Sequence, residues 1–289
     1  RDLLLKHPNF DVDLVVEGDG IAYAAEMVRV FGGRFKSHPK FKTAVVILPD
    51  GQRVDVATAR LEYYEYPAAL PTVELSSIKM DLYRRDFTVN ALAVHLSPER
   101  FGDLVDFFGA QRDIKDRVLR VLHSLSFVED PTRIVRAIRF SERFGFRIGG
   151  QTDRLIKNAV RHSFFHKLSG SRVMHELRLI FEEKTPLSCL RRMQDYKLLA
   201  AIHPLLALTP SKEAVLLEVE NVINWYRLLY IEPQPQVWML YFLGLCTGLD
   251  PEQFAIIARR LNFSKRQAAE MAALRQQIRD TAQGIFNWE

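Results

Sequence analysis

From Asp113 onward the sequence carries almost no strand signal, and this change of pattern constrains the fold more than any single motif. Before it, residues 10–17 (FDVDLVVE) alternate and are rich in valine, which predicts a strand. Residues 20–31 carry apolar side chains at helical spacing and run into Gly32-Gly33, a helix stop. Residues 34–48 and 53–59 are predicted strands, joined by Pro49-Asp50-Gly51, whose turn chemistry suits a hairpin. Residues 83–93 have helical spacing. After the change, residues 133–144, 153–158, 171–183, 186–196, 214–230, 236–243, 251–261 and 265–277 all place apolar residues at i, i+3 and i+4. The expectation is an α+β chain, with strands and helices mixed up to a boundary near residues 110–120 and helices after it.

A chain of 289 residues has room for about two domains, and 48% hydrophobic with 26% charged residues is enough to bury a core. The longest apolar run, residues 237–249, is broken by glycine and threonine, so no membrane span is expected. Arg1 and Asp2 stand where a secretory leader would need a basic stub and an apolar run, so no signal peptide is expected. Cys189 and Cys246 are too few for a disulfide framework or a cysteine-rich zinc site, and a reducing, cytoplasmic setting is expected. Charge is uneven along the chain. Residues 112–197 hold 19 Lys and Arg against 10 Asp and Glu, a balance of +9, while the remainder is −4. That middle third suits either a polyanion partner or a set of solvated arginine-rich helices.

Three segments carry residues suited to chemistry. Asp11 and Asp13 flank Val12 in the first predicted strand, so both carboxylates share one face while Val12, Leu14 and Val16 take the other. Like charges so placed favour a cation between them, and magnesium is the natural one; an exposed strand end is the plain alternative. Asp55 lies mid-strand and would be either a third carboxylate or an exposed position. Residues 84–93 (RRDFTVNALA) put two arginines, Arg84 and Arg85, beside Asp86 and Asn90, which a helix would place on one face. Guanidinium groups bind phosphates through paired donors. Residues 129–140 (EDPTRIVRAIRF) read as a helix start, with Glu129 and Asp130 ahead of a first-turn proline. Asp130, Arg133, Arg136 and Arg139 recur every three residues as a slanting polar stripe, with Ile134, Val135, Ile138 and Phe140 as core. Such a stripe offers an acceptor and several donors, or is simply a solvated face.

In this order and spacing the segments resemble the class II tRNA nucleotidyltransferase and bacterial poly(A) polymerase family, within the DNA polymerase beta superfamily. The resemblance rests on Arg1-Asp2, Asp11-Val12-Asp13, residues 84–93, residues 129–140 and the close Phe144-Gly145-Phe146, and it covers about residues 1–200. The family's first motif opens with a glycine pair that would precede Arg1, so the natural chain is expected to be longer. The resemblance implies a polymerase-beta-like head with a mixed sheet (1–115), a helical neck bearing a nucleotide-selecting helix (116–185) and an RNA-binding helical body (186–289). It further implies that Asp11 and Asp13 are the catalytic Mg2+ ligands. Nucleotide contacts are implied at Arg1, Arg84, Arg85, Asp86, Asn90, Glu129, Asp130, Arg133, Arg136 and Arg139. Among these, Asp130 and Arg133 would read the base edge in place of a nucleic-acid template.

The implied reaction is transfer of A, or of CCA, from ATP and CTP to the 3′ end of tRNA, with the basic helices on the RNA backbone. The length of residues 61–81 disfavours CC-only addition, and the wording of that stretch is closer to A-adding relatives. Poly(A) tailing and a non-catalytic RNA-binding relative are the alternatives; intact Asp11 and Asp13 speak against the latter.

Overall fold

The alternation at the start of the chain forms a four-stranded mixed sheet with a helix on one face. The structure is a computed structural model that describes residues 1–7 and 11–286, with side chains as far as residue 281. Two units are distinguished: Arg1–Glu129 with Arg147–Thr152, and Asp130–Phe146 with the residues from Asp153 on.

In the first unit, β1 (Val12–Val16), α1 (Gly20–Phe31), β2 (Arg34–His38), β3 (Thr43–Ile47) and β4 (Arg53–Thr58) follow one another. The sheet order is β1-β4-β3-β2, with β1 parallel to β4 and the other pairs antiparallel. Ala44, Val46, Val54 and Val56 are buried with Ala24 of α1, and Leu14, Val16, Met27 and Val28 close that core. Two-residue periodicity then turns Asp13 and its register partner Asp55 to the opposite face. Gly20 lets α1 start hard against β4: a Cβ there would lie 2.9 Å from the Thr58 backbone nitrogen, and its own N–H donates to Thr58 Oγ1 at 3.0 Å. Asp19 caps α1 by accepting from the N–H groups of Ile21 and Ala22.

Three expectations need correction here. Residues 34–48 are two antiparallel strands, because Pro39 opens a 3₁₀ turn and Lys42 takes φ 54°, which reverses the chain. Asp11 precedes β1 instead of lying within it, and Phe10, where that strand was expected to begin, is outside the described residues. Residues 83–93 are not a helix. α2 (Ile78–Tyr83) ends there, and Thr88–Asn90 form a 3₁₀ turn.

The rest of this unit is β5 (Arg60–Tyr63) paired with β6 (Thr72–Leu75), β7 (Ala93–Val94) with β8 (Leu104–Val105), α3 (Ala110–Lys115), α4 (Ser126–Glu129), and β9 (Val118–Leu119) with β10 (Arg147–Ile148). The last two strands are short exceptions to the expected loss of strand beyond Asp113.

The second unit is helical: α5 (Thr132–Phe144), α6 (Gly150–Arg161, in this unit from Asp153 on), α7 (Gly170–Phe181), α8 (Pro186–Asp195), α9 (Leu198–Ile202), α10 (Pro210–Leu228), α11 (Val237–Leu245), α12 (Pro251–Arg260) and α13 (Lys265–Phe286). α5 packs on α7 and α8, and α11 packs on α7 and α10. Ile134, Ile138, Leu177, Ile180, Phe181, Leu190 and Met193 fill the core, each at most 1% exposed. α5 stops at Gly145, whose φ of 63° is the left-handed cap that glycine takes without steric cost. Among the described residues no helix is long and apolar enough to cross a membrane.

Candidate active site

The face of the sheet turned away from α1 gathers negative charge. Asp13 on β1 and Asp55 on β4 sit side by side in parallel register, and the charge of Asp11, just before β1, reaches Asp13. The Asp13 carboxyl is pushed above the usual carboxylate range, first by loss of hydration at the sheet surface and then by the Asp55 charge. Asp11 adds to that repulsion, and the positive charges of Arg85 and Arg53 oppose it. Asp55 is held by its strand neighbour Arg53 at 2.9 Å. Asp11 and Asp13 supply hard oxygen donors, the chemistry a divalent cation takes. Among the described residues no group of three or more His, Cys, Asp or Glu side chains is arranged to hold a metal by itself. A two-carboxylate site of this kind fits an ion whose remaining ligands are substrate phosphates and water.

Residues 84–93 meet that face without forming the expected helix. Asp86 Oδ1 accepts from its neighbour's backbone, Phe87 N–H, and from Asn90 Nδ2, both at 2.8 Å. Asn90 Oδ1 in turn accepts from Arg1 Nη1. Arg1, Asn90 and Asp86 are thus one hydrogen-bonded chain, and Asp86 and Asn90, expected on one helical face, meet across a turn instead. The two arginines part company. Arg84 is caged, donating to Glu62 Oε1 at 2.9 Å and to Asp81 Oδ1 at 2.7 Å. Among the described residues Arg85 makes long contacts to Asp81 Oδ2 and the Asn90 carbonyl, 3.4 Å each, and its buried Nε has no hydrogen bond there. It is Arg85 whose charge reaches Asp13. Asp81, fully buried, accepts from both arginines and from the Arg60 backbone.

In this unit Glu129 lies at the end of α4 with His123 at 3.5 Å. The second unit carries the other expected residues. Asp130 Oδ1 receives the backbone N–H of Thr132 at 2.9 Å, its hydroxyl at 2.6 Å and Arg172 Nη2 at 2.7 Å. The arginines of α5 are less solvated than a polar stripe predicts: Arg133 and Arg139 are each only 5% exposed. The reason is that α5 is enclosed nearly all round, so its polar positions are buried and need partners. Arg139 pairs with Glu183 at 3.3 Å and lies over the Phe140 ring at 4.8 Å. Burial lowers the Arg139 guanidinium below its ordinary value. Arg136 faces Glu176 at 4.0 Å. Asp130, Thr132, Arg136, Ser171, Arg172, His175 and Glu176 line a cavity of about 370 Å³.

Sequence reasoning passed over Asp81, Glu62, Arg172, Glu176 and Glu183. Asp81 precedes Arg84 and Arg85 by three and four positions, the spacing of helical ion pairs, and was findable on that ground. Glu62 also pairs with Arg60, two positions back on the same strand face, whereas Arg172, Glu176 and Glu183 pair across 40 to 44 positions and carry no local signal.

Glu176 gives a test of this electrostatic picture. It is 5% exposed, and its Oε2 has no hydrogen-bond partner among the described residues. Lost hydration raises its carboxyl above the ordinary glutamate value despite Arg136 and Arg139. A raised folded-state value contributes stability below the unfolded pKa, and that contribution is lost as pH rises through the folded one. Glu176→Gln should therefore raise the thermal midpoint near pH 8, with the gain shrinking toward about pH 5. Melting curves at both values check it; a lower midpoint near pH 8 would contradict it.

The poly A polymerase head-domain family matches residues 1–120, and the family described as the probable RNA and SrmB-binding site of polymerase A matches residues 145–208. The A-adding tRNA nucleotidyltransferase of Geobacter sulfurreducens is 52% identical over 275 residues, which is 95% of this chain and 31% of that protein. An apo structure of a CCA-adding enzyme superposes with a TM-score of 0.87 at 42% identity, over 99% of this chain and 66% of that one. A tRNA nucleotidyltransferase solved with a primer tRNA and an incoming ATP analogue gives 0.81 at 33%, over 96% and 78%. The chain thus spans about a third of the Geobacter protein and most of the shorter enzyme seen with tRNA. On these matches, which run through both units, the chain belongs to the tRNA nucleotidyltransferase and poly(A) polymerase family.

Proposed function

We propose that this chain carries the catalytic and RNA-gripping parts of a template-independent nucleotidyltransferase that adds the terminal A, or CCA, to tRNA. The observation that carries the reading is the charged sheet face: Asp13 pressed against Asp55 and Asp11, with the charge of Arg85 reaching it. Transfer needs such a site, because an attacking 3′-hydroxyl and a triphosphate both develop negative charge. Asp11 and Asp13 are the proposed Mg2+ ligands, and the ion when bound would neutralise phosphate charge and ease deprotonation of the hydroxyl. Arg1 and Arg85 present guanidinium donors to the phosphates, while Asp86 and Asn90 hold each other and the sugar side of the site. Arg84, caged by Glu62 and Asp81, contributes by fixing the turn that carries Arg85. Glu129 ends the helix leading into α5. Asp130 and Arg133 read the base edge, with Arg136 and Arg139 behind them on α5.

In this reading residues 1–115 are the head, 116–185 the selecting neck and 186–289 the body. Addition of A is favoured over CCA by the likeness to an A-adding enzyme. The free, buried Cys189 and Cys246 suit a reducing compartment such as the cytoplasm. The test is to offer tRNA transcripts ending in CC, in C or without either, with labelled ATP or CTP. One adenylate on the CC end supports A addition; long homopolymers on any RNA would overturn the tRNA reading.

RNA should be held through its backbone. Arg154, Lys157 and Arg161 are exposed at i, i+3 and i+7 on α6, inside the region that matches the RNA-binding family. Affinity should fall with salt on a log–log slope steeper than about −2, and replacing the three by glutamine should flatten it by about 2. Filter binding across a salt series decides this, and a nearly flat slope in the unaltered chain would contradict it.

A further inference from the structure

We propose that Arg172 is a specificity-determining positioning residue, which fixes Asp130 by one carboxylate oxygen so that the other meets the incoming base. The proposal rests on the reading of Asp130 as a base-reading residue. Three donors converge on Asp130 Oδ1: the Thr132 N–H at 2.9 Å, the Thr132 hydroxyl at 2.6 Å and Arg172 Nη2 at 2.7 Å. The Thr132 bonds are local and tie the carboxylate to the first turn of α5. Arg172 reaches it from α7, 42 positions along the chain, and its planar fork resists rotation of the carboxylate. Turning the group over would break all three bonds at once. No hydrogen bond of the described residues falls on Oδ2, and Asp130 and Arg172 both line the cavity of about 370 Å³.

The chemistry explains why a fixed oxygen matters. Adenine and cytosine carry an exocyclic amine, a donor, where guanine and uracil carry a carbonyl oxygen, an acceptor. A carboxylate oxygen accepts only. Held in place, Oδ2 welcomes the amine and repels the carbonyl. Free to swing, it can withdraw from the carbonyl, and the penalty against GTP and UTP falls. Arg172 would thus govern which nucleotide is used without touching the nucleotide itself.

The experiment compares kcat/KM for ATP with that for GTP in the unaltered chain, Arg172→Gln, Asp130→Ala and the double variant. A ratio does not depend on the active fraction, so partial misfolding cannot imitate the effect. The expected result is a fall in the ATP-to-GTP ratio of roughly tenfold or more for Arg172→Gln. The double variant should be no less selective than Asp130→Ala, because both changes act through one group. A uniform loss of rate with the ratio intact in Arg172→Gln, while Asp130→Ala loses selectivity, would overturn the positioning role alone. A ratio intact in both variants would overturn the base-reading role of Asp130 and the proposal with it.

Discussion

Asp13→Asn is expected to lower nucleotide transfer by a factor of about 10²–10³ or more while raising the thermal midpoint of the ligand-free protein. Both effects come from one arrangement. Asp13 stands in parallel register with Asp55 and near Asp11, and its carboxyl is raised by lost hydration and by those charges. In that state the folded protein holds the Asp13 proton more tightly than the unfolded chain does. The associated stability is therefore lost as pH rises through the folded value, and near neutrality the charged carboxylate works against folding. Asparagine keeps the shape and removes the repulsion, as expected where function and stability pull apart. Transfer assays in magnesium and melting curves without it check the pair. Retention of more than about a hundredth of the transfer would remove the metal-ligand role, and a lowered midpoint would contradict the charge argument.

Asp130→Ala and Arg133→Ala should erode selection of the correct nucleotide against GTP and UTP by about 1–3 kcal/mol, the scale of a lost base-edge pair. Asp130, just ahead of α5, accepts only and Arg133, in the first turn of that helix, donates only, so together they match a mixed donor–acceptor edge. Arg85 belongs to the sheet-face cluster, proposed above to meet parts shared by all nucleotides, so Arg85→Ala should raise KM for each of them alike. Steady-state kinetics with the four nucleotides separates the two behaviours. Variants of Asp130 and Arg133 that merely slow, with selectivity unchanged, would contradict the division.

Much of this is legible in the sequence. The 2-residue alternation around Val12–Val16 and Arg53–Thr58 reports a half-buried sheet, and its polar phase is the one that holds Asp13 and Asp55. α1 and its stop at Gly32 follow from spacing and glycine, and α5 follows from its apolar spacing. Residues 84–93 misled because their polar side chains take up a local backbone N–H and a distant carboxylate instead of facing solvent from a helix. Asp86 takes the Phe87 N–H, and the Thr88 hydroxyl donates to Asp113 Oδ2 at 2.6 Å, so a 3₁₀ turn replaces the helix. The ribbon of β5 and β6 escaped for a different reason. Its strands are four residues long, with Tyr63 49% and Leu75 64% exposed, and so lack a buried phase to alternate. The burial of Arg133 and Arg139 was hidden as well, because a helix enclosed on all sides has the same local spacing as one with a wet face. Partners such as Glu183 and Arg172 are set by how α7 and the turn after it pack on α5, which no local window contains.

The most direct measurement offers each of the four nucleotides separately to a tRNA ending in CC, with no second nucleic acid present, and follows single-nucleotide extension. The expected result is extension by ATP at least about a hundredfold faster than by GTP or UTP, one residue long, and unchanged when the acceptor-stem sequence is altered. Equal extension by all four nucleotides, or a preference that follows the RNA sequence, would contradict selection by Asp130 and Arg133.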